Sequence, residues 1–239
     1  MKALNQFLIQ SSCLNCEQHS ESVFCNQSKD TLQIFESHKI TNIYPKGAIL
    51  FMEGQPSNGI YILCKGRVKL STCSRDGKVI ILHIAESGEV LGLSTAISES
   101  THIATAEVLE PCQINFMRTG DFLQFLAQNA EASLSIVKQL SRNYQTAFHQ
   151  ICSLGLSNTV AERLARLFLG WCQKGSKKAD GIHVKITYTH EDLAQMIGTS
   201  RETVSRILKD FRNQKLISIK DSNLIIHDKE RLKSAFNTQ

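Results

Sequence analysis

Proline is scarce in this protein, three residues in 239, and tryptophan occurs once. With only 13 glycines as well, the collagen-like, mucin-like and disordered classes are excluded. No apolar run reaches the length, about 18 residues, that a membrane-spanning helix needs. The opening Met1-Lys2-Ala3-Leu4-Asn5-Gln6 lacks the apolar stretch of a secretory signal, which predicts a cytoplasmic protein. Local enzyme signatures are missing too: there is no phosphate-binding G-x-x-x-x-G-K, no dinucleotide G-x-G-x-x-G, no H-E-x-x-H and no G-x-S-x-G elbow. A non-enzyme is therefore expected. What is present, 42% hydrophobic and 21% charged residues, is the composition of a packed protein with room for two domains. Eight cysteines in a reducing compartment read as thiols or metal ligands rather than disulfides.

Charge is unevenly spread. Through Leu154 there are 12 Lys and Arg against 13 Asp and Glu, a net −1; from Gly155 to Gln239 the count is 15 against 9, a net +6. A basic last third on a near-neutral remainder points to a terminal nucleic-acid-binding domain, with an ordinary solvated basic surface as the alternative.

The first 30 residues are polar around Cys13, Cys16 and Cys25 and show no strong amphipathic element. From about Ile40 to Met117 short β-rich runs appear, among them Ala48–Phe51, Ile60–Leu63, Val68–Leu70 and Val79–Ile84, separated by glycines beside polar residues. Such spacing predicts an antiparallel roll, barrel or sandwich. After Arg118-Thr119-Gly120-Asp121 the period becomes helical. Val137, Leu140, Tyr144, Ala147, Ile151 and Leu154 recur at steps of three and four and form one seam of a long helix, which packs on its own roll or pairs in parallel with a second copy. Ile136 and Phe148 widen the apolar face enough for both. A helix over Thr159–Cys172, a loop over Gln173–Gly181 and a strand over Ile182–Thr187 follow, and Thr189 precedes Glu191 and Asp192 at a helix start.

From His190 the sequence reads HEDLAQMIGTSRETVSRILK. A helix-turn-helix needs a small residue where its helices cross, a turn residue that tolerates positive φ, and apolar residues that hold the second helix down. Ala194, Gly198, Val204 and Ile207 meet these needs in order, with Leu193, Ile197 and Leu208 in the same core. Thr199 and Glu202 have capping-box spacing at the start of the second helix. Hairpin patterns at Leu216–Ile219 and Leu224–Ile226 add a wing. The first turns of the second helix then enter the major groove. Arg201, Glu202, Ser205 and Arg206 share its exposed face: arginine pairs with guanine, glutamate accepts from cytosine, and serine is permissive. Lys209, Arg212, Lys215, Lys185 and Lys220 are candidates for phosphate contacts, which position without specifying sequence.

With these residues in view, the protein resembles the CRP/FNR superfamily of bacterial transcription regulators over nearly its whole length. The resemblance rests on Tyr44-Pro45-Lys46-Gly47, Gly59–Gly66, Gly88-Glu89-Val90-Leu91-Gly92 and above all Ser200–Leu208. It implies an α+β fold: an antiparallel, cyclic-nucleotide-binding-like β-roll, a long dimerisation helix, and a C-terminal winged helix-turn-helix. The divisions are a cysteine-containing segment (1–30), the β-roll sensor domain (31–120), the dimerisation helix region (121–154) and the DNA-binding domain (155–239). It also implies a homodimer on palindromic double-stranded DNA, with Glu202 and Arg206 reading a TGA-containing half-site and RNA polymerase as a further partner. Arg201 looks like the catabolite activator branch and Ser205 like the FNR branch, which leaves the outer bases of the half-site open.

The family resemblance offers two kinds of signal. Gly88-Glu89 matches the cyclic-AMP branch at its ligand-binding positions, yet where that branch has Arg-Ser this sequence has Thr101-His102-Ile103-Ala104. Without a guanidinium opposite the phosphate, cyclic AMP loses its charge-assisted anchor, while another small molecule in the roll stays open. Cys112 falls where the oxygen-sensing FNR branch has an internal cluster ligand, and Cys13, Cys16 and Cys25 supply three N-terminal thiols. This ligand set implies a [4Fe–4S] cluster, with zinc or thiol oxidation as alternatives on the same residues. The FNR branch resembles C-x2-C-x5-C, whereas the spacing here is C-x2-C-x8-C; a longer loop still closes, because loop entropy grows slowly with length. Cys64, Cys73, Cys152 and Cys172 read as buried structural thiols, and His19, His38 and His83 as surface or core residues without partner ligands.

Overall fold

The computed structural model describes residues 12–16, 25–220 and 223–234. Its first helix, α1 (Lys29–His38), is one that the sequence pattern did not announce. Ser28 caps it by accepting from the Thr31 amide, and Thr31, Leu32 and Phe35 form its buried face.

Strands β1 (Ile40–Tyr44), β2 (Ile49–Phe51), β3 (Gly59–Lys65), β4 (Val68–Cys73), β5 (Val79–Ala85), β6 (Val90–Leu91), β7 (Thr105–Val108) and β8 (Cys112–Arg118) form the roll, with a short α2 (Leu93–Ser98) between β6 and β7. They make two four-stranded sheets, ordered β1-β8-β3-β6 and β2-β7-β4-β5. The period of two along a strand divides the roll's interior into two cores. Leu63, Cys112 and Ile114 point into one, with Phe51, Val68, Ala106 and Val108. Ile60, Ile62 and Met117 point into the other, with Phe35 of α1, Phe122 and Phe125 of α3 (Thr119–Gln128), and Ala132 and Ile136 of α4.

Helix α4 (Ala130–Leu156) is 27 residues long and has two faces. Ala132, Ser135, Ile136 and Gln139, at steps of three and four, are buried, as the reading of Ile136 required. Val137, Tyr144, Ile151 and Phe148 stay exposed, Tyr144 by 71%. Two compact units result, residues 1–77 with 81–147 and residues 78–80 with 148–239; α4 is continuous through the border at 147 and 148.

In the second unit α5 (Val160–Trp171) matches the helix expected over Thr159–Cys172, with Thr159 as its cap rather than its first residue. The predicted loop over Gln173–Gly181 holds instead a 3-10 turn (Cys172–Lys174) and an edge strand β9 (Ser176–Lys178), paired with β10 (Gly181–Lys185). Ser-Lys-Lys has no apolar alternation, so its pairing rests on backbone alone, and lysines suit an exposed edge. Helices α6 (His190–Ile197) and α7 (Arg201–Asn213), the hairpin β11 (Ile217–Lys220) and β12 (Asn223–Ile226), and α8 (Lys229–Ser234) complete it. The sheet order is β11-β12-β10-β9. Among the described residues no helix is long and apolar enough to cross a membrane.

Candidate nucleic-acid interface and thiol pocket

Caps fix the boundaries of the helix pair. Thr189 Oγ1 accepts from the Asp192 amide at 3.1 Å, and Asp192 accepts from the Thr189 amide at 2.8 Å, a reciprocal capping box at the start of α6. Gly198 ends α6 at φ 67°, the left-handed turn expected of it. Arg163 of α5 donates to the Ile197 carbonyl at 2.9 Å, a cation placed at the helix C-terminus. The capping box read at Thr199 and Glu202 does not form. Thr199 turns its amide back to the Ala194 carbonyl (2.9 Å), closing the turn, and Ser200 caps α7 by accepting from the Thr203 amide. That shift of one residue leaves Glu202 on the outer face.

Val204, Ile207, Leu208 and Phe211 bury one side of α7 against Leu193, Ala194 and Ile197. Arg201, Glu202, Arg206 and Lys209 are exposed on the other, as are Arg212, Lys215, Lys185 and Lys220 nearby. Ser205 is only half-exposed. Its hydroxyl donates to the Arg201 carbonyl at 3.0 Å and lies 2.8 Å from Nδ1 of His190, so the imidazole is the donor in that second bond. Sequence reasoning gave His190 no role; its spacing of 15 residues from Ser205 becomes a contact only when the two helices cross.

In the first unit, Cys13, Cys16, Cys25 and Cys64 line one enclosed pocket with Leu32, Phe35, Ile62, Leu63, Gly88 and Asn115. The Cys16 amide donates to the Cys13 carbonyl at 3.4 Å, closing the C-x2-C stretch into a turn, and the Cys13 amide donates to the Glu36 carboxylate of α1. Thr41 holds the Asn115 amide group at 2.7 Å, and Asn115 Nδ2 lies 3.7 Å from Cys13 Sγ. Burial pushes the Cys13 thiol up to about 11 and the Cys64 thiol up to about 12; on Cys64 the neighbouring Cys25, Cys13 and Cys16 push in the same direction. Without a cation Cys13 and Cys64 are therefore thiols, not thiolates. Among the described residues no three ligand-type side chains are already grouped as a single-ion site.

Cys112 is not in this pocket, contrary to the expected ligand set. It is fully buried in the other core, its Sγ 3.1 Å from the Glu110 carbonyl and 3.4 Å from that of Arg67. The strand's period is the reason: Cys112 and Ile114 share one face of β8, Asn115 and Met117 the other. The remaining thiols differ among themselves. Cys172 is buried as expected, Cys152 is half-buried on α4, and Cys73 is exposed where β4 runs out into a turn. His19 lies outside the described residues. His38 bonds to Ser37 and the Ile34 carbonyl within its own helix.

Two family models match this protein: a cyclic nucleotide-binding domain over residues 41–129 and a Crp-like helix-turn-helix domain over 162–235. The cAMP-activated global transcriptional regulator CRP of Pasteurella multocida is 30% identical over 200 residues, covering 82% of this chain and 94% of that one. The chain belongs to the CRP/FNR family. The anaerobic regulatory protein of Bacillus subtilis is 27% identical over 211 residues, covering 86% and 87%. Among solved structures, a CooA mutant from Carboxydothermus hydrogenoformans superposes with a TM-score of 0.76 at 24% identity over 89% of this chain and 93% of that one. The c-di-GMP responsive regulator CLP of Xanthomonas campestris gives 0.73 at 20% over 84% and 100%. CRP/FNR proteins are transcription regulators, not enzymes.

At the positions where the CRP/FNR resemblance suggested a ligand, the structure shows other engagements. Glu89 accepts from the Glu86 amide at 2.9 Å and sits 2.7 Å from Nε2 of His83. Gly88 lines the thiol pocket. His102 is buried, stacked on Phe51 at a centroid distance of 3.9 Å and 3.3 Å from Thr95 Oγ1; burial lowers its pKa. A neutral, buried imidazole offers no charged anchor for a cyclic phosphate.

Proposed function

We propose that this CRP/FNR regulator binds palindromic, TGA-containing double-stranded DNA as a homodimer in the cytoplasm, with RNA polymerase as its promoter partner. Its control is redox or oxygen, read through an iron-sulfur cluster at the thiol pocket. The convergence of the three N-terminal thiols in one apolar pocket carries the sensing half of this reading. Among the described residues the lining offers sulfur donors and apolar walls, without carboxylate or imidazole, which suits a soft, thiophilic centre. A cluster bound by four thiolates supplies redox chemistry tuned by its exposure and hydrogen bonding. The name of the Bacillus relative, an anaerobic regulatory protein, accords with such a signal.

The protein's own residues link that pocket to the long helix. Two residues past Cys25, Gln27 donates to Ser135 of α4 at 2.7 Å, and the Ser28 amide donates to Glu131 at 3.0 Å. On the other side of the pocket, beyond Gly88, the Val90 amide and carbonyl both bond to Gln139 of α4, at 3.1 and 2.8 Å. Movement at the thiols is thus felt at Glu131, Ser135 and Gln139. The outward stripe of Val137, Tyr144 and Ile151 pairs with a second copy, and its geometry sets the spacing of two recognition helices on half-sites one DNA turn apart, roughly 34 Å. A signal that favours one arrangement acts by population shift.

The test is anaerobic purification with iron and sulfide analysis, an absorption spectrum, and a mobility-shift assay on a TGA palindrome before and after air. About four iron per polypeptide, as a [4Fe–4S] centre requires, a visible band that bleaches, and DNA binding that changes with it are expected. An iron-free protein that binds the palindrome equally in both atmospheres overturns the cluster reading and moves the signal to zinc, thiol oxidation or a small ligand in the roll.

A further inference from the structure

We infer that the fourth ligand of this site is Cys64 on β3, which completes a four-sulfur set with Cys13, Cys16 and Cys25, and that Cys112 is a structural thiol. The inference rests on the metal-centre reading above but not on iron in particular. Its first support is the register of β3 against β8. Ile60 pairs with Met117, Ile62 with Asn115 and Leu63 with Ile114, but Lys65, not Cys64, pairs with Gln113. Cys64 is the extra residue of a bulge. By the strand's period of two Cys64 follows Ile60 and Ile62 onto the pocket face of β3, and the shift of register leaves it without a Cα partner on β8, its thiol in the pocket with Ile62 and Asn115.

The second support is what holds Cys112 back. Turning its sulfur to the pocket requires β8 to slip by one residue, which flips every side chain of the strand. Cys112 is also locked from behind. Gly66 turns the backbone at φ 97° directly against it, and a Cβ there would lie 2.5 Å from Cys112 Sγ. The third support is chemical. On loading, each of four thiols gives up one proton to solvent and forms one sulfur–metal bond. Among the described residues of the lining, the amide of Asn115 is the one polar side chain beside the thiols, and it is held by Thr41, so four sulfurs are the donors that these residues offer.

The experiment uses the full-length protein, wild type and the variants Cys64→Ser and Cys112→Ser, each loaded anaerobically with ferrous iron and sulfide, and separately with cobalt(II). Iron per polypeptide and the sulfur-to-metal absorption are read. Cys64→Ser should bind the metal at least about tenfold more weakly while Cys112→Ser keeps it, since even an outer-shell partner typically contributes about 10–100-fold in affinity and a direct ligand no less. Retention by Cys64→Ser with loss in Cys112→Ser overturns the inference and leaves the cluster reading standing. Cobalt binding that needs Cys64, without iron uptake, supports the four-thiol set and overturns the cluster. Failure of the wild type to take either metal overturns both. Because a variant can simply misfold, a second measurement uses wild type alone: alkylation mapped by mass spectrometry with and without bound metal. Cys13, Cys16, Cys25 and Cys64 should become protected on loading and Cys112 should react in neither state; protection that skips Cys64 sinks the assignment.

Discussion

The recognition face and the thiol pocket are built by opposite means. The residues of the first, His190 to Lys209, lie in one run of 20, shaped by two caps and one left-handed turn, with its charges outward. The pocket gathers sulfur from a turn at 13–16, from the approach to α1 and from a bulge in β3, and it turns those groups inward. A face made from contiguous helix is formed whenever its helix is formed. A pocket assembled from separate segments depends on each staying in place, so it is the part of the molecule whose state conditions can change. In the proposed function, reading of DNA falls to the contiguous, local element and reading of the signal to the assembled, non-local one.

The largest effect should come from breaking the rigid side. Arg206→Ala removes an exposed guanidinium from α7, and one bidentate base contact contributes about 1–3 kcal/mol of discrimination. Affinity for the specific palindrome should fall by roughly 100-fold while metal content and dimer mass stay as in the wild type. A mobility-shift titration beside analytical ultracentrifugation decides it; unchanged specific affinity removes Arg206 from base reading.

A second substitution tests whether the pocket's surroundings hold α4. Gln139→Ala strips the Val90 amide and carbonyl of their partner in a buried setting, where each orphaned group costs about 1–3 kcal/mol. Thermal unfolding should begin several degrees lower, and DNA affinity should become less dependent on the state of the thiols. If the melting temperature does not move, the two hydrogen bonds are not what fixes the helix there.

These two sites also differ in how well residues alone revealed them. Gly198, Val204 and Ile207 could be read from a linear pattern because a helix-turn-helix is specified by neighbours close in sequence. Most of the roll's strands were legible by the same logic, from short β-rich runs between glycines. Helix α1 was not, since only Leu32 and Phe35 carry its buried apolar face. The separation of Cys112 from the other three thiols was not legible, because matching it to a family position says nothing about which face of β8 it occupies, and that Cys64 joins them shows only once β3 is packed. His190 escaped notice for the same reason, as its partner Ser205 lies on the other helix of the pair.

His190→Ala sharpens the account of the recognition face at a finer grain. With the Ser205 proton committed to the Arg201 carbonyl and one lone pair to His190, the hydroxyl presents an acceptor to the groove. Losing the imidazole frees that rotor. Discrimination at the base pair under Ser205 should relax about three- to tenfold, in keeping with about 1 kcal/mol for one hydrogen bond. Positions read by Arg206 should not change. A competition assay with single-base half-site variants separates this from a general loss, and in a Ser205→Ala background the effect of His190→Ala should largely vanish.

The smallest predicted effect is a pH dependence confined to the sensing side. His102 is buried among Phe51 and Thr95, and burial holds its folded pKa below the ordinary histidine value of about 6.5. The unfolded protein therefore binds this proton more readily. The stability that a neutral His102 allows is fully present above the unfolded pKa and is lost as pH falls through the folded one. Lowering the pH from about 7.5 to about 5, across the ordinary histidine range, should lower the melting temperature of the wild type. His102→Phe should remove that part of the slope while leaving the rest of the acid sensitivity. The DNA face has no part in it, because His102 belongs to the roll. If the slope is equal in both proteins, His102 is protonated without cost and its stacking on Phe51 does not exclude charge; a reduced slope instead ties the acid sensitivity of the sensing unit to one imidazole.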